Sequence, residues 1–66
     1  MKEVMERMQK KVDAVDVTSS QAISRLVYDI SCLQVNGRLT IKEGTDLIVR
    51  IRGRIDEYEK IHRDLL

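Results

Sequence analysis

The sequence contains no phenylalanine, no tryptophan and no proline, and it has only two tyrosines. Any core must therefore be built from Ile, Leu, Val and Met. Cys32 is the single cysteine, which excludes a disulfide within the chain. A structural zinc site normally needs four ligands, and His62 is the only other soft ligand present. We therefore expect no metal and no cofactor, and a lone cysteine fits a reducing, cytoplasmic setting.

An excess of charge of one sign is also missing, because 12 basic residues stand against 11 acidic ones. No segment forms a polybasic arm or an acidic tail. No apolar run approaches the length of a membrane span, and the opening "MKEVMERMQKK" lacks the apolar stretch of a secretory signal. These observations predict a cytoplasmic protein that does not contact a membrane.

The length of 66 residues predicts one small domain, residues 1–66, with a marginal core. Small scaffolds usually need a disulfide, a metal, a partner subunit or very good helix packing. With the first two not expected, association with a second chain is the remaining way to bury more apolar area.

Two turn signals divide the chain into three predicted helices. In "DVTSSQAI", Thr18 and Gln21 have the spacing of a capping box, and in "NGRLTIKEG" so do Thr40 and Glu43. Gly37, after an asparagine, can end a helix through its positive φ. The predicted fold is all-α, with helices at about 2–15, 19–35 and 41–65, the last two forming an antiparallel hairpin. The sequence leaves open whether helices one and two are continuous.

Each predicted helix carries an apolar pattern. In helix one, methionines and valines recur at steps of three and four, either as an adaptable docking surface or as a helix closing over helix two. Helix two is apolar on two faces, so we expect it to be central and buried on more than one side. Its faces are Ile23, Leu26, Val27, Ile30 and Leu33, then Tyr28, Cys32 and Val35. Helix three carries one stripe, formed by Ile41, Gly44, Ile48, Ile51, Ile55, Tyr58, His62 and Leu65.

The stretch "LIVRIRGRI", residues 47–55, also alternates as a half-buried strand would. A two-residue hairpin turn at Asn36-Gly37 would support that alternative, but its register sets apolar against polar residues at every pair. The helix is favoured, because it explains twenty-five residues and the cap before them. On a helix Arg50 and Arg54 share a face, whereas Arg52 lies about 160° away. No single basic stripe then results.

No constellation typical of catalysis is present. Cys32 has only the distant His62 as a possible activating base, so an inert, buried thiol is the simpler interpretation. His62 is favourable near the negative end of the last helix. A small helical chain also has little room for a substrate pocket of several hundred Å³. We therefore predict no catalytic residue and no small-molecule substrate.

The segment "LQVNGRLTIKEGTDLI", Leu33 to Ile48, resembles the helix–Gly–x–[Leu/Ile]–Thr–x–x–Glu–helix turn of short oligomerisation modules. This resemblance covers about a quarter of the chain. It implies a helical connection in a self-associating module and carries over no functional residue.

The sequence thus predicts a protein–protein interaction module, a small regulator, adaptor or inhibitor that docks through apolar helix faces and forms a homodimer. The alternative is a small nucleic-acid-binding regulator that uses Arg50, Arg52 and Arg54. The residues predicted at the protein interface are Met5, Met8, Ile48, Ile51, Ile55, Tyr58, Ile61 and Leu65.

Overall fold

The computed structural model describes the backbone of residues 2–65 and the side chains of residues 3–63. This part of the chain forms three helices, α1 (Lys2–Ala14), α2 (Ser20–Val35) and α3 (Ile41–Leu65), and no strand. The predicted helices are confirmed to within one residue at each end. A connection at residues 15–19 separates α1 from α2, so the first two helices are not continuous.

The stretch of residues 47–55 is helical throughout, which settles the choice between helix and strand. At about 1.5 Å per residue, the 25 residues of α3 extend for about 37 Å. The whole molecule measures 43 × 19 × 16 Å, so α3 accounts for most of its long axis. None of the described helices combines the length and the hydropathy needed to cross a membrane.

The start of α2 differs from the predicted capping box. Ser19 is the cap, and its side-chain oxygen accepts a hydrogen bond from the backbone N–H of Ala22 at 3.2 Å. Thr18 instead donates to Asp16 Oδ1 from its backbone N–H at 2.9 Å and from its hydroxyl. The Thr18 hydroxyl and N–H together hold the pKa of Asp16 below its usual range. The prediction of Thr18 as the cap was wrong because its hydroxyl is used in this preceding turn.

The end of α2 follows the predicted glycine signal. Gly37 has φ 75°, which L side chains adopt only at a cost. The Arg38 N–H donates to the Leu33 carbonyl at 2.8 Å, and the Gly37 N–H donates to the Gln34 carbonyl at 3.1 Å. These are the two bonds of a Schellman motif, which satisfies the last carbonyls of the helix. Leu39 follows directly and is buried in the core.

The start of α3 is the predicted capping box. The Thr40 N–H donates to Glu43 Oε1 at 2.9 Å, and the Glu43 N–H donates to Thr40 Oγ1 at 3.0 Å. Two backbone groups without a helical partner are thereby satisfied. Hydrogen bonding by the backbone and side chain of Thr40 lowers the pKa of Glu43.

The core consists of aliphatic side chains from all three helices and one leucine from the turn. Among the described residues no polar or charged side chain is buried with it. This composition matches the expectation that Ile, Leu, Val and Met build the interior. The buried residues are Met8, Val12, Leu26, Ile30, Leu39, Leu47 and Ile51.

The central helix is α3, because α1 and α2 each pack mainly against it and less against each other. The prediction that α2 is central was wrong. Its face with Leu26 and Ile30 is buried, but Tyr28 and Val35 are 68% and 86% exposed. With α1 and α2 both packed on α3, α2 buries one face only.

The contact between α2 and α3 is close at Gly44, which is buried. The Gln34 side chain lies over this glycine, and a Cβ built at position 44 would overlap the Gln34 amide and lie 2.9 Å from its Cγ. The Gln34 Nε2 also donates to the Ile41 carbonyl at 3.3 Å. The absence of a side chain at Gly44 therefore permits this packing.

Candidate interaction surfaces

Two of the three candidate nucleic-acid contacts hold α1 against α3. Arg50 forms a bidentate ion pair with Asp13, with Nε–Oδ1 at 3.0 Å and Nη2–Oδ2 at 3.3 Å. Arg54 donates from Nη1 to the carbonyl oxygens of Val12 at 2.5 Å and Val15 at 2.9 Å. Arg54 thus satisfies carbonyls at the C-terminal end of α1, where a cation is also favoured by the helix dipole.

The third candidate, Arg52, is exposed and makes no hydrogen bond to the part of the chain that the structure describes. Arg52, which was predicted to lie on a different face of the helix from Arg50 and Arg54, therefore also differs from them in its contacts. Asp46 lies four residues before Arg50 on the same helix, at the spacing of a helical ion pair. The bidentate partner is Asp13 on α1 instead, which sequence spacing along one helix has no means to reveal.

The fold places the residues of the predicted protein interface in different environments. Met8 and Ile51 are 3% and 2% exposed and belong to the core of the same chain, so neither is available to a partner in this structure. α1 covers part of the stripe on α3 that was assigned to a partner. Met5, Ile48 and Ile55 are partly buried against that core.

The end of α3 retains accessible apolar groups. Ile61 is 54% exposed, and Tyr58 is half-buried. The Tyr58 hydroxyl and His62 Nε2 are hydrogen-bonded at 3.0 Å, and their ring centroids lie 4.1 Å apart. The side chain of Leu65, also predicted at the interface, lies outside the described residues.

A second accessible surface, which we call the outer face of α2, was not predicted. It consists of Tyr28 and Val35 together with Ser24 and Ser31, all of which are exposed. A side-chain hydrogen bond with Cys32 raises the pKa of Tyr28. The two serines were the sequence signal from which the exposure of this face could have been predicted, because polar residues interleaved at helical spacing indicate a face in contact with solvent.

A half-open groove of about 340 Å³ lies between α1 and α2. Little room for a pocket was expected from the sequence, and this groove was not predicted. Apolar side chains and the Cys32 thiol line it together with three cations and one carboxylate. The lining residues are Val4, Arg7, Met8, Lys11, Asp29, Cys32, Leu33 and Arg38.

No protein family, curated protein or solved structure matches this chain. Within the described residues, no group of three His, Cys, Asp or Glu side chains is placed to hold a metal ion.

Proposed function

We propose that this chain is a non-enzymatic protein-interaction module, a small cytoplasmic regulator, adaptor or inhibitor that docks through apolar helix faces and self-associates as a homodimer. One observation carries the proposal. Tyr28 and Val35 share the outer face of α2 and are 68% and 86% exposed. Contiguous exposed apolar side chains on a small protein mark association sites.

The proposed architecture is an antiparallel hairpin of α2 and α3, with α1 packed against α3. The short connection at residues 36–40 and the contact of Gln34 with Gly44 support it. Such a hairpin presents the outer face of α2 between Ser24 and Val35 on the side of the helix away from the core. Arg25 and Asp29 are the only charged residues of α2, so the surface has little electrostatic barrier to pairing.

The proposed homodimer uses the accessible apolar groups left by the fold. These are the outer face of α2 and, at the end of α3, Tyr58 and Ile61. A two-fold axis would place the same patch of each chain together. Burial of Val35 and Ile61 against a second copy would remove apolar area from water at about 25 cal/mol per Å².

The alternative, a nucleic-acid-binding regulator, has less support. It needs the guanidinium groups of Arg50, Arg52 and Arg54 to be available for phosphate contacts. Arg50 and Arg54 already bind α1. Retention on immobilised DNA that is strong, steeply dependent on salt and lost on Arg52→Ala would favour this alternative.

Light scattering across a range of chain concentrations tests the homodimer. We expect the wild-type mass to approach two chains at about ten to one hundred micromolar, and we expect Val35→Asp or Ile61→Asp to lower it toward one chain, since a buried, unpaired carboxylate is costly. Circular dichroism checks that the variants keep their helices.

The matched control is Thr45→Asp, which adds the same charge at an exposed helical position outside both surfaces. It should leave the mass unchanged. A wild-type chain that remains a monomer over the whole range would refute the homodimer and leave the exposed apolar faces to a foreign partner.

A further inference from the structure

The groove between α1 and α2 combines an apolar floor with a basic rim. Met8 is buried at its base, and Val4 and Leu33 are partly buried against the core. Arg7 and Lys11 stand one turn apart on α1, and Arg38 comes from the turn after α2. The Cys32 thiol faces the same space.

The charge of the groove is unlike that of the whole molecule. The chain carries a net charge of only +1, but three cations line the groove against the single carboxylate of Asp29. Within the described residues, none of these three cations forms an ion pair, in contrast to Arg50 with Asp13. The exposed cations therefore give the groove a local positive potential that attracts an anionic group.

The shape of the groove points to a peptide segment and not to an enclosed small molecule. Small-molecule sites usually bury most of the ligand surface, whereas this groove is half-open and lies at the lower end of their volume range. An open groove suits an occupant whose chain continues past it. The space is enough for one aliphatic side chain and a neighbouring carboxylate.

We propose that this groove binds an acidic, apolar segment of a partner protein. An aliphatic side chain of that segment packs on Val4 and Leu33, the partly buried apolar residues of the groove. An adjacent Asp or Glu carboxylate pairs with Arg7, Lys11 and Arg38. The assignment rests on the proposed interaction role and names the chemistry of the partner, on a surface separate from the outer face of α2.

Two measurements on the full chain test the groove together. The probe is a blocked hexapeptide, Leu-Glu-Glu-Leu-Leu-Glu, with its glutamine analogue as the uncharged control. Fluorescence anisotropy of the labelled peptide gives its affinity. Because Cys32 is the only cysteine and lines the groove, the rate at which uncharged N-ethylmaleimide alkylates it reports occupancy at this place.

The acidic peptide should bind saturably, slow the alkylation of Cys32 and bind more weakly as ionic strength rises. Lys11→Gln and Arg38→Gln should each weaken binding by about two- to fivefold, the range expected for one exposed ion pair. The matched control is Arg52→Gln, which removes an exposed cation from α3 outside the groove and should leave the affinity unchanged.

Equal binding of the acidic and glutamine peptides, no binding of either, or binding without protection of Cys32 would each overturn the proposal. Protection by octanoate or inorganic phosphate as strong as that by the peptide would also overturn it, in favour of a small anion. Protection does not depend on dimerisation. A monomeric chain with a protected Cys32 therefore refutes the homodimer alone, and a dimeric chain without protection refutes the groove alone.

Discussion

The helical backbone of α3 contains two glycines that meet different surroundings. Apart from the adjoining residues and helical backbone of α3, a Cβ added at Gly53 would have no atom within 4 Å. Gly53→Ala should therefore gain the full difference in helix propensity, about 0.5–1 kcal/mol in the free energy of unfolding. For a domain of this size, that gain corresponds to a rise of about 2–8 °C in Tm.

Gly44→Ala should not raise the free energy of unfolding as much as Gly53→Ala does. The new Cβ would overlap the Gln34 amide, so the side chain of Gln34 must move away and lose its hydrogen bond to the Ile41 carbonyl. A lost hydrogen bond costs about 0.5–1.5 kcal/mol, which opposes the propensity gain. Gly44→Ala should therefore be less stabilising than Gly53→Ala by about 0.5–1.5 kcal/mol.

Urea denaturation followed by circular dichroism measures both changes. Gln34→Ala provides the control, because Gly44→Ala introduced into that background meets no amide and should recover its propensity gain. The coupling between the two positions is then read from a double-mutant cycle. If Gly44→Ala alone stabilises as much as Gly53→Ala, Gln34 does not lie over Gly44 and the described contact between α2 and α3 is wrong.

Further substitutions address the contacts at the ends of the helices, and urea denaturation measures the effect of each. Arg54→Ala should cost about 1.5–3 kcal/mol because the carbonyls of Val12 in α1 and of Val15 just after it lose a charged donor. Arg50→Ala should cost only about 0.2–1 kcal/mol because its ion pair is half-exposed. Equal losses would contradict this ranking. Thr40→Ala should cost about 1 kcal/mol at about pH 7. The lowered pKa of Glu43 means that its capping contribution is present above the ordinary carboxyl value of 4.5 and is lost as pH falls through the lowered one. Glu43→Gln, which cannot titrate, should therefore flatten this acid dependence, whereas Thr40→Ala should flatten it only in part because the backbone N–H at position 40 remains. An unchanged acid profile in Glu43→Gln would contradict this assignment. Gly37→Val should destabilise more than Thr40→Ala because a β-branched residue resists φ 75°, and a neutral result would contradict the described turn.

The features predicted well from the sequence were those decided by neighbouring residues. The capping box of Thr40 and Glu43 and the positive φ of Gly37 depend on contacts within a few positions. The period of the apolar residues likewise identified α3 across the stretch that resembles a strand. Local patterns fix such elements because helix ends must satisfy their backbone groups nearby.

The features missed were those decided by which helix covers which face. An apolar pattern shows that a face can be buried, but not whether the same chain or another one buries it. The outer face of α2 was therefore assigned to the core, and Ile51 was assigned to an interface although it lies in the core. The pairing of Arg50 with Asp13 could not be predicted for the same reason, since it joins positions 37 residues apart.

Whether a residue is buried within its own chain or exposed on it determines which substitutions can reveal a dimer. Ile55 belongs to the predicted interface, but it packs against the core of its own chain. Ile55→Asp would therefore place a carboxylate against apolar side chains and unfold the monomer whether or not a dimer exists. Val35 and Ile61 are exposed in the single chain, so an aspartate at either position costs little unless a second surface covers it. A loss of association at these two positions, with helicity retained, is therefore specific to an interface between chains.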